Sequence, residues 1–241
     1  YNFNNDRYSS RIFFFFNPDK HICYEISANT DSTAGAFFSY EEGESQGKTE
    51  QQYYASDFMA IYPPTKVAGN DSFDKVKRLV EFVSSADGET FTENLSNYFN
   101  KEYLLRYFIF VQLFGLVDNL GKNMKIASWD GGNIWYIQPY DCDTSISLNN
   151  SGFQTFDCDI EVEKGVFNTT DSRLWQKVML YMQDDLKTTY EYLRNHGVNI
   201  DTMYKYLFED QIDKIPEYYY NRDMQTKYLD FDASYSYALH G

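Results

Sequence analysis

The sequence predicts an α+β chain, with a small β-rich N-terminal lobe (1–70) followed by a mainly helical lobe (71–241) that carries one inserted β-hairpin. Three observations lead there. Aromatic and β-branched runs separated by turn residues fill the front of the chain. From residue 71 the apolar residues recur at helical spacing. Two Trp-bearing runs around Asp130-Gly131-Gly132 then interrupt the helical part.

In chain order, Arg11–Phe16 and His21–Ser27 flank Asn17-Pro18-Asp19-Lys20, whose residue types close a turn, so a hairpin is predicted. Residues 40–52 are polar with two glycines and read as loop, and Tyr62-Pro63-Pro64-Thr65 reads as a linker or turn between lobes. Asp71 or Ser72 can cap a helix that places Val76, Leu79, Val80 and Val83 on one face. Asp87-Gly88 breaks it, and Phe91, Leu95, Tyr98 and Phe99 mark a second short helix. Asn100 then caps an almost wholly apolar helix from 101 to about 117. The apolar run holds Arg106 and Gln112 and is too short and polar to span a bilayer, which suits a central buried helix.

Met124–Trp129 and Asn133–Gln138 are the predicted hairpin strands. Residues 147–171 look irregular. A long amphipathic helix is expected over about 172–195, with Leu174, Val178, Tyr181, Leu186, Tyr190 and Leu193 near one stripe and Gly197 closing it. A last helix runs from about 200 to Pro216, ahead of a tyrosine-rich tail.

Composition narrows the function classes. A formal charge of −15 argues against nucleic acid and anionic membrane, which need Lys and Arg to displace counterions, and fits divalent cations or a basic partner. The three cysteines (Cys23, Cys142, Cys158) are too scattered for a disulfide framework or zinc site, although Cys142 and Cys158 could pair in an oxidising compartment. His21, His196 and His240 form no cluster, so histidine-based catalysis is not expected. Neither an initiating Met nor a signal peptide is visible, and a piece of a longer polypeptide is expected. Trp129, Trp135 and Trp175 read as core rather than a carbohydrate platform. The alternation Phe156–Glu163 reads as a solvated edge strand, and the sequons at Asn70, Asn94, Asn149 and Asn168 arise readily in an Asn-rich chain.

The chemistry concentrates between Tyr103 and Asn150. The apolar helix runs into Asp118-Asn119-Leu120-Gly121-Lys122-Asn123, and after the hairpin comes Tyr140-Asp141-Cys142-Asp143. Phosphoryl transfer asks a protein mainly to neutralise phosphate charge through a metal and to orient the acceptor. An Asp at the end of a buried helix can receive the acceptor hydroxyl, an Asn five residues on can reach a metal, and an acidic group at a nearby strand end can join it. Such hard oxygen donors suit Mg²⁺ or Mn²⁺. With 22 Asp and 18 Asn in the chain, the Asp–Asn spacing recurs by chance, and the carboxylates could equally be turn residues. It is the succession of helix, loop, hairpin and acidic pair that points to a site. A β-rich front with a helical body and inserted hairpin is a bilobal kinase-like layout, shared with many other α+β proteins.

The stretch from about 97 to 150, with Tyr107, Asp118-Asn119, Lys122-Asn123, Trp135-Tyr136 and Tyr140–Asp143, resembles the spore-coat CotH-type kinase family, which includes bacteriophage tail-associated proteins. Leu174–Lys177 and Gln211–Pro216 are similar to that family's helical C-terminal region, and the resemblance covers about 71–228. It implies an atypical protein-kinase-like fold and ATP with Mg²⁺ or Mn²⁺. Asp118 would take the catalytic position, with Asn123 as a metal ligand and Asp141, or Asp143 as its alternate, as the metal-binding acid. It implies a protein hydroxyl as acceptor or, in the other class, a non-catalytic virion part that contacts neighbouring virion proteins. The chain departs from kinases in lacking a Gly-x-Gly-x-x-Gly loop and His-Arg-Asp and Asp-Phe-Gly triplets, and Lys20 and Lys48 are its candidate nucleotide-gripping lysines.

Overall fold

The computed structural model describes residues 17, 20–27, 58–63, 74–120, 122–142, 145, 172–212 and 214–224. Among them, β1 (Ile22–Ser27), β2 (Phe58–Tyr62), β3 (Lys122–Ser128) and β4 (Tyr136–Pro139) form one antiparallel sheet in the order β2-β1-β3-β4. The strands of the front therefore lie edge to edge with the inserted hairpin. Strand alternation sorts the side chains between two faces. Tyr24, Ile26, Phe58, Met124, Ile126 and Ile137 point into the helical core, while Cys23, Ile61 and Ala127 form a smaller cluster on the other face against Met59, Tyr62 and Trp129.

The turn expected before β1 is present, with the Lys20 and His21 amides donating to Asn17 O at 3.1 and 2.7 Å, but β1 is paired along both edges, with β2 and with β3, which is not the pairing of the predicted hairpin. Its first strand, Arg11–Phe16, lies outside the described residues, as do the loop at 40–52, Asp71 and Ser72, Cys158 and the run Phe156–Glu163.

The helices follow. α1 (Asp74–Ser85) buries Val76, Leu79, Val80, Phe82 and Val83, the face its spacing predicts. Asp87-Gly88 ends that run, and α2 (Gly88–Asn94) leads through a 3₁₀ turn at Leu95–Asn97. α3 (Lys101–Phe114) starts where expected: the Asn100 side chain accepts from the Tyr103 amide at 2.9 Å. It stops earlier than hydrophobicity alone implies. Gly115 sits at φ 59° and lets the Leu116 amide reach Val111 O, satisfying carbonyls that a further turn would otherwise have used. α3 buries Leu104, Leu105, Tyr107, Phe108, Ile109 and Val111, but Tyr103 and Leu113 are exposed.

The loop between β3 and β4 is wider than a two-residue turn. Asp130 Oδ1 accepts from the Asn133 and Ile134 amides at 3.1 Å each, and Gly131 and Gly132 take φ of 80° and 87°. Trp135 leaves the ladder to pair with the end of α2's segment, its amide donating to Tyr98 O at 2.7 Å.

The long helix predicted over 172–195 is two helices, α4 (Arg173–Tyr181) and α5 (Gln183–Asn195), meeting at Met182 with φ −122°. Leu174, Trp175 and Val178 of α4 are buried as expected, whereas no residue of α5 is; its Tyr190 is exposed. Met182 itself is buried, and beyond it the stripe is only partly covered: Leu186 packs against the core while Tyr190 faces solvent. The last predicted helix is segmented into α6 (Ile200–Tyr204), a π-helical turn at Lys205–Glu209, and α7 (Asp210–Ile212). After Pro216, α8 (Glu217–Met224) begins. No described helix is long and apolar enough to cross a membrane.

Candidate functional site

The turn that follows α3 is a 3₁₀ segment, Val117–Leu120, and it is tied down on two sides. From α3, the Tyr107 hydroxyl donates to Asn119 O at 2.7 Å. From α4, Trp175 Nε1 donates to Leu120 O at 2.8 Å. The Tyr107 and Trp175 rings stack at 5.7 Å and 18°, so both donors belong to one packed unit. Burial pushes the Tyr107 phenol well above its ordinary range, with the nearby Cys142 adding to the shift and the Asn119 hydrogen bond opposing it. Tyr107 is therefore a neutral donor at any physiological pH. A turn fixed by two buried donors holds the backbone of Asp118 in a set place.

Asn123 opens the far side of the turn. In the β1–β3 ladder Ile26 faces Met124 and Ser27 faces Lys122, so Asn123 is bulged out with no partner. It takes φ 53°, a region that Asn tolerates better than most residues. At the end of β4, Asp141 takes φ 52°, and it is exposed. These two left-handed residues face each other across the hairpin's open end: the Tyr140 amide donates to Asn123 O at 3.1 Å, and Asn123 Nδ2 approaches Asp141 O at 3.4 Å.

One side chain holds this end together. Asn119 is fully buried, and its Nδ2 donates to Asn123 O at 2.7 Å and to Tyr140 O at 3.0 Å. Its two N–H bonds thus span from one candidate ligand, Asn123, to the residue just before the other. The Asn119 Oδ1 is buried without a hydrogen-bond partner. Keeping one orphaned acceptor costs about 1–3 kcal/mol, which is the expense of using an amide rather than an apolar group at this junction.

Of the residues predicted from sequence, Asn123 and Asp141 are brought together. Asp118 lies on the pinned turn and is described through its backbone alone, and Asp143 lies outside the described residues. Among the described residues no group of three or more His, Cys, Asp or Glu side chains converges as a metal cluster. The described donors are an amide and one carboxylate at a strand end, both hard oxygen types. That fits a Mg²⁺-like ion, which takes one or two protein carboxylates and completes its shell with water and phosphate oxygens. Trp135 and Trp175 are buried and Trp129 half-buried, as core residues would be. Sequence reasoning missed Asn119 and the pair Tyr107–Trp175 as supports. The available signal was an amide interrupting an apolar helix end beside Asp118.

A search of the curated proteins finds no match. The family model described as CotH kinase protein matches residues 16–238, which takes in every described element and both flanks of the hairpin end. On that match, covering nearly the whole chain, this protein belongs to the CotH kinase protein family.

Proposed function

We propose that the chain transfers a phosphoryl group from a magnesium or manganese nucleotide, ATP by family, to a protein hydroxyl. The observation that carries this reading is the joining of Asn123 and Asp141 at one hairpin end, both left-handed and tied through Tyr140 and Asn119. Asp118, five residues before Asn123 on the pinned turn, is the residue to accept the proton of the acceptor hydroxyl. The acceptor oxygen forms its bond to the γ-phosphorus as the bond to the nucleoside diphosphate oxygen breaks, and that oxygen leaves carrying the charge. Asn123 and Asp141, with Asp143 as the neighbouring acid, would hold the ion, whose chemistry is to neutralise phosphate charge.

The test is thermal unfolding with and without Mg²⁺-ATP or Mn²⁺-ATP, beside Asp141→Ala. A ligand that binds only the folded chain raises the melting temperature by mass action. A metal-dependent rise in the wild type that Asp141→Ala loses is expected, together with phosphate incorporation into a protein acceptor that Asp118→Asn abolishes. No rise at millimolar nucleotide would sink the reading.

A second reading, a non-catalytic virion component that retains the fold, draws on the helices after Gly197. Tyr204, Tyr206, Phe208, Tyr218 and Tyr219 are all exposed there, an aromatic surface of the kind used in assembly. Under it the chain would bind no nucleotide, so the same melting experiment separates the two.

A further inference from the structure

We propose that Lys125 is the residue that meets the nucleotide's phosphates, a role that rests on the phosphoryl-transfer reading above and replaces the lysines expected from sequence. Lys125 lies in β3 between Met124 and Ile126, both of which point into the helical core, so its side chain emerges on the opposite face of the sheet. There it is 8% exposed, one of two buried lysines among the described residues.

The other, Lys177, is fully committed: its ammonium donates to Ser84 O and Ala86 O and pairs with Asp87 at 3.0 Å. Lys125 has no such set. Its ammonium lies 3.8 Å from the centre of the Tyr140 ring, and no carboxylate of the described residues pairs with it. A buried ammonium normally requires an anion, and an aromatic face is a partial substitute for one.

The direction of the side chain is informative. Glu25 stands directly opposite Lys125 in the β1–β3 ladder and keeps a buried carboxylate oxygen with no hydrogen-bond partner. No ion pair joins the two, and the contact seen for the ammonium is the Tyr140 ring. The β4 partner of Lys125 is Gln138, and Tyr140 lies two residues further towards Asp141, about 7 Å along the strand. The ammonium thus lies over the ring of the residue that bonds Asn123 O and precedes Asp141. A cation delivered beside two metal-ligand candidates is what a polyphosphate needs, since the metal leaves part of its charge to be met by the protein.

Lys20 cannot serve. Ile22 pairs with Ser128, and the Gly131 amide donates to Lys20 O at 2.8 Å, so Lys20 sits at the opposite end of β3 from Asn123. Lys48 lies outside the described residues.

Two measurements on the full chain decide it. Calorimetric titration with Mg²⁺-ATP should give at least tenfold weaker binding for Lys125→Met than for wild type, while Lys125→Arg stays within about threefold of wild type. The melting temperature of Lys125→Met without nucleotide should not fall, because the methionine keeps the apolar stem. Equal affinity of wild type and Lys125→Met for Mg²⁺-ATP would overturn the assignment while leaving the phosphoryl-transfer reading standing. A wild type that binds no Mg²⁺-ATP would end both. The wild-type chain alone gives an independent reading through an acyl phosphate of ATP. In that reagent a lysine amine near the phosphates attacks the acyl carbon, forms an amide and releases ATP. Mass spectrometry should find the acyl group on Lys125, with the label suppressed by excess Mg²⁺-ATP. Labelling of another lysine with Lys125 unmodified would equally overturn the proposal, and this arm needs no variant to fold.

Discussion

At the scale of single residues, the hairpin end depends on Asn119 more than on either residue it positions. Its amide supplies both donors that link Asn123 O to Tyr140 O, from a fully buried position. Asn119→Asp keeps the shape but turns both donors into acceptors facing two carbonyl oxygens. The expected loss is about 3 kcal/mol, from buried carbonyls left without partners. Tyr107→Phe removes one hydroxyl donor to Asn119 O and should cost about 1 kcal/mol. Urea unfolding curves with unchanged slope and shifted midpoint would measure both. The Asp118–Asn123–Asp141 succession was legible in the sequence because spacing along one chain is written there. The role of Asn119 was not, because its two acceptors, at positions 123 and 140, come together only once β3 and β4 have paired. Asn123's bulge was hidden for the same reason: it exists only relative to β1.

At the scale of elements, local signals were reliable where a side chain acts on its own backbone. Asn100 is such a case, and its cap fixes where α3 begins. Asn100→Ala should therefore cost about 1 kcal/mol, the usual value for a lost N-cap, read as a lower urea midpoint. Asn100→Ser should recover most of it. The ends of elements that answer to packing were less legible. Apolar residues continue to Val117, yet Gly115 stops α3, and the surface that continues past it belongs to the pinned turn. The stripe from Leu174 to Leu193 has helical spacing throughout, but α4 and α5 part at Met182, whose side chain is buried in the core. Periodicity reports which residues share a face. It does not report how fully a neighbouring element covers that face: α5 lies beside α3, with Leu186 against the core, yet none of its residues is fully buried. The Asp130-Gly131-Gly132 turn was recognised, whereas its width was not, since Trp135 is drawn off the ladder by Tyr98 and Asn100.

At the scale of the molecule, one core joins residues that the sequence divides at 70. Ile22, Tyr24, Ile26 and Phe58 pack in the same cluster as Val76, Leu104, Ile126 and Trp175. Two neighbours on β1, Tyr24 in this core and Cys23 in the smaller cluster on the other face, give one test by titration. Burial pushes the Cys23 thiol from 9.0 to about 12 and the Tyr24 phenol from 10.0 to about 12. Both groups are neutral when protonated, and the unfolded chain loses these protons first. Their contribution to stability is therefore intact below about pH 9 and is lost as pH rises towards about 12. Melting temperatures should fall across that window, and Cys23→Ala should make the fall shallower. A second test is physical division of the chain. The α+β class was legible because strands and helices announce themselves locally, but the pairing of β1 with β3 is a long-range fact that no local pattern carries. If that pairing is as central as the core makes it, residues 71–241 expressed alone should not fold. From this cluster alone the fragment would lose four buried side chains, at about 1.5–3 kcal/mol each, and would leave the β1 side of β3 unpaired. That loss, about 6–12 kcal/mol in sum, is comparable to the whole stability of an ordinary domain. Circular dichroism should then show no cooperative melting for 71–241, against a single transition for the full chain. A fragment that melts cooperatively would mean instead that the helical part holds β3 and β4 by itself, with the front strands added to a finished body.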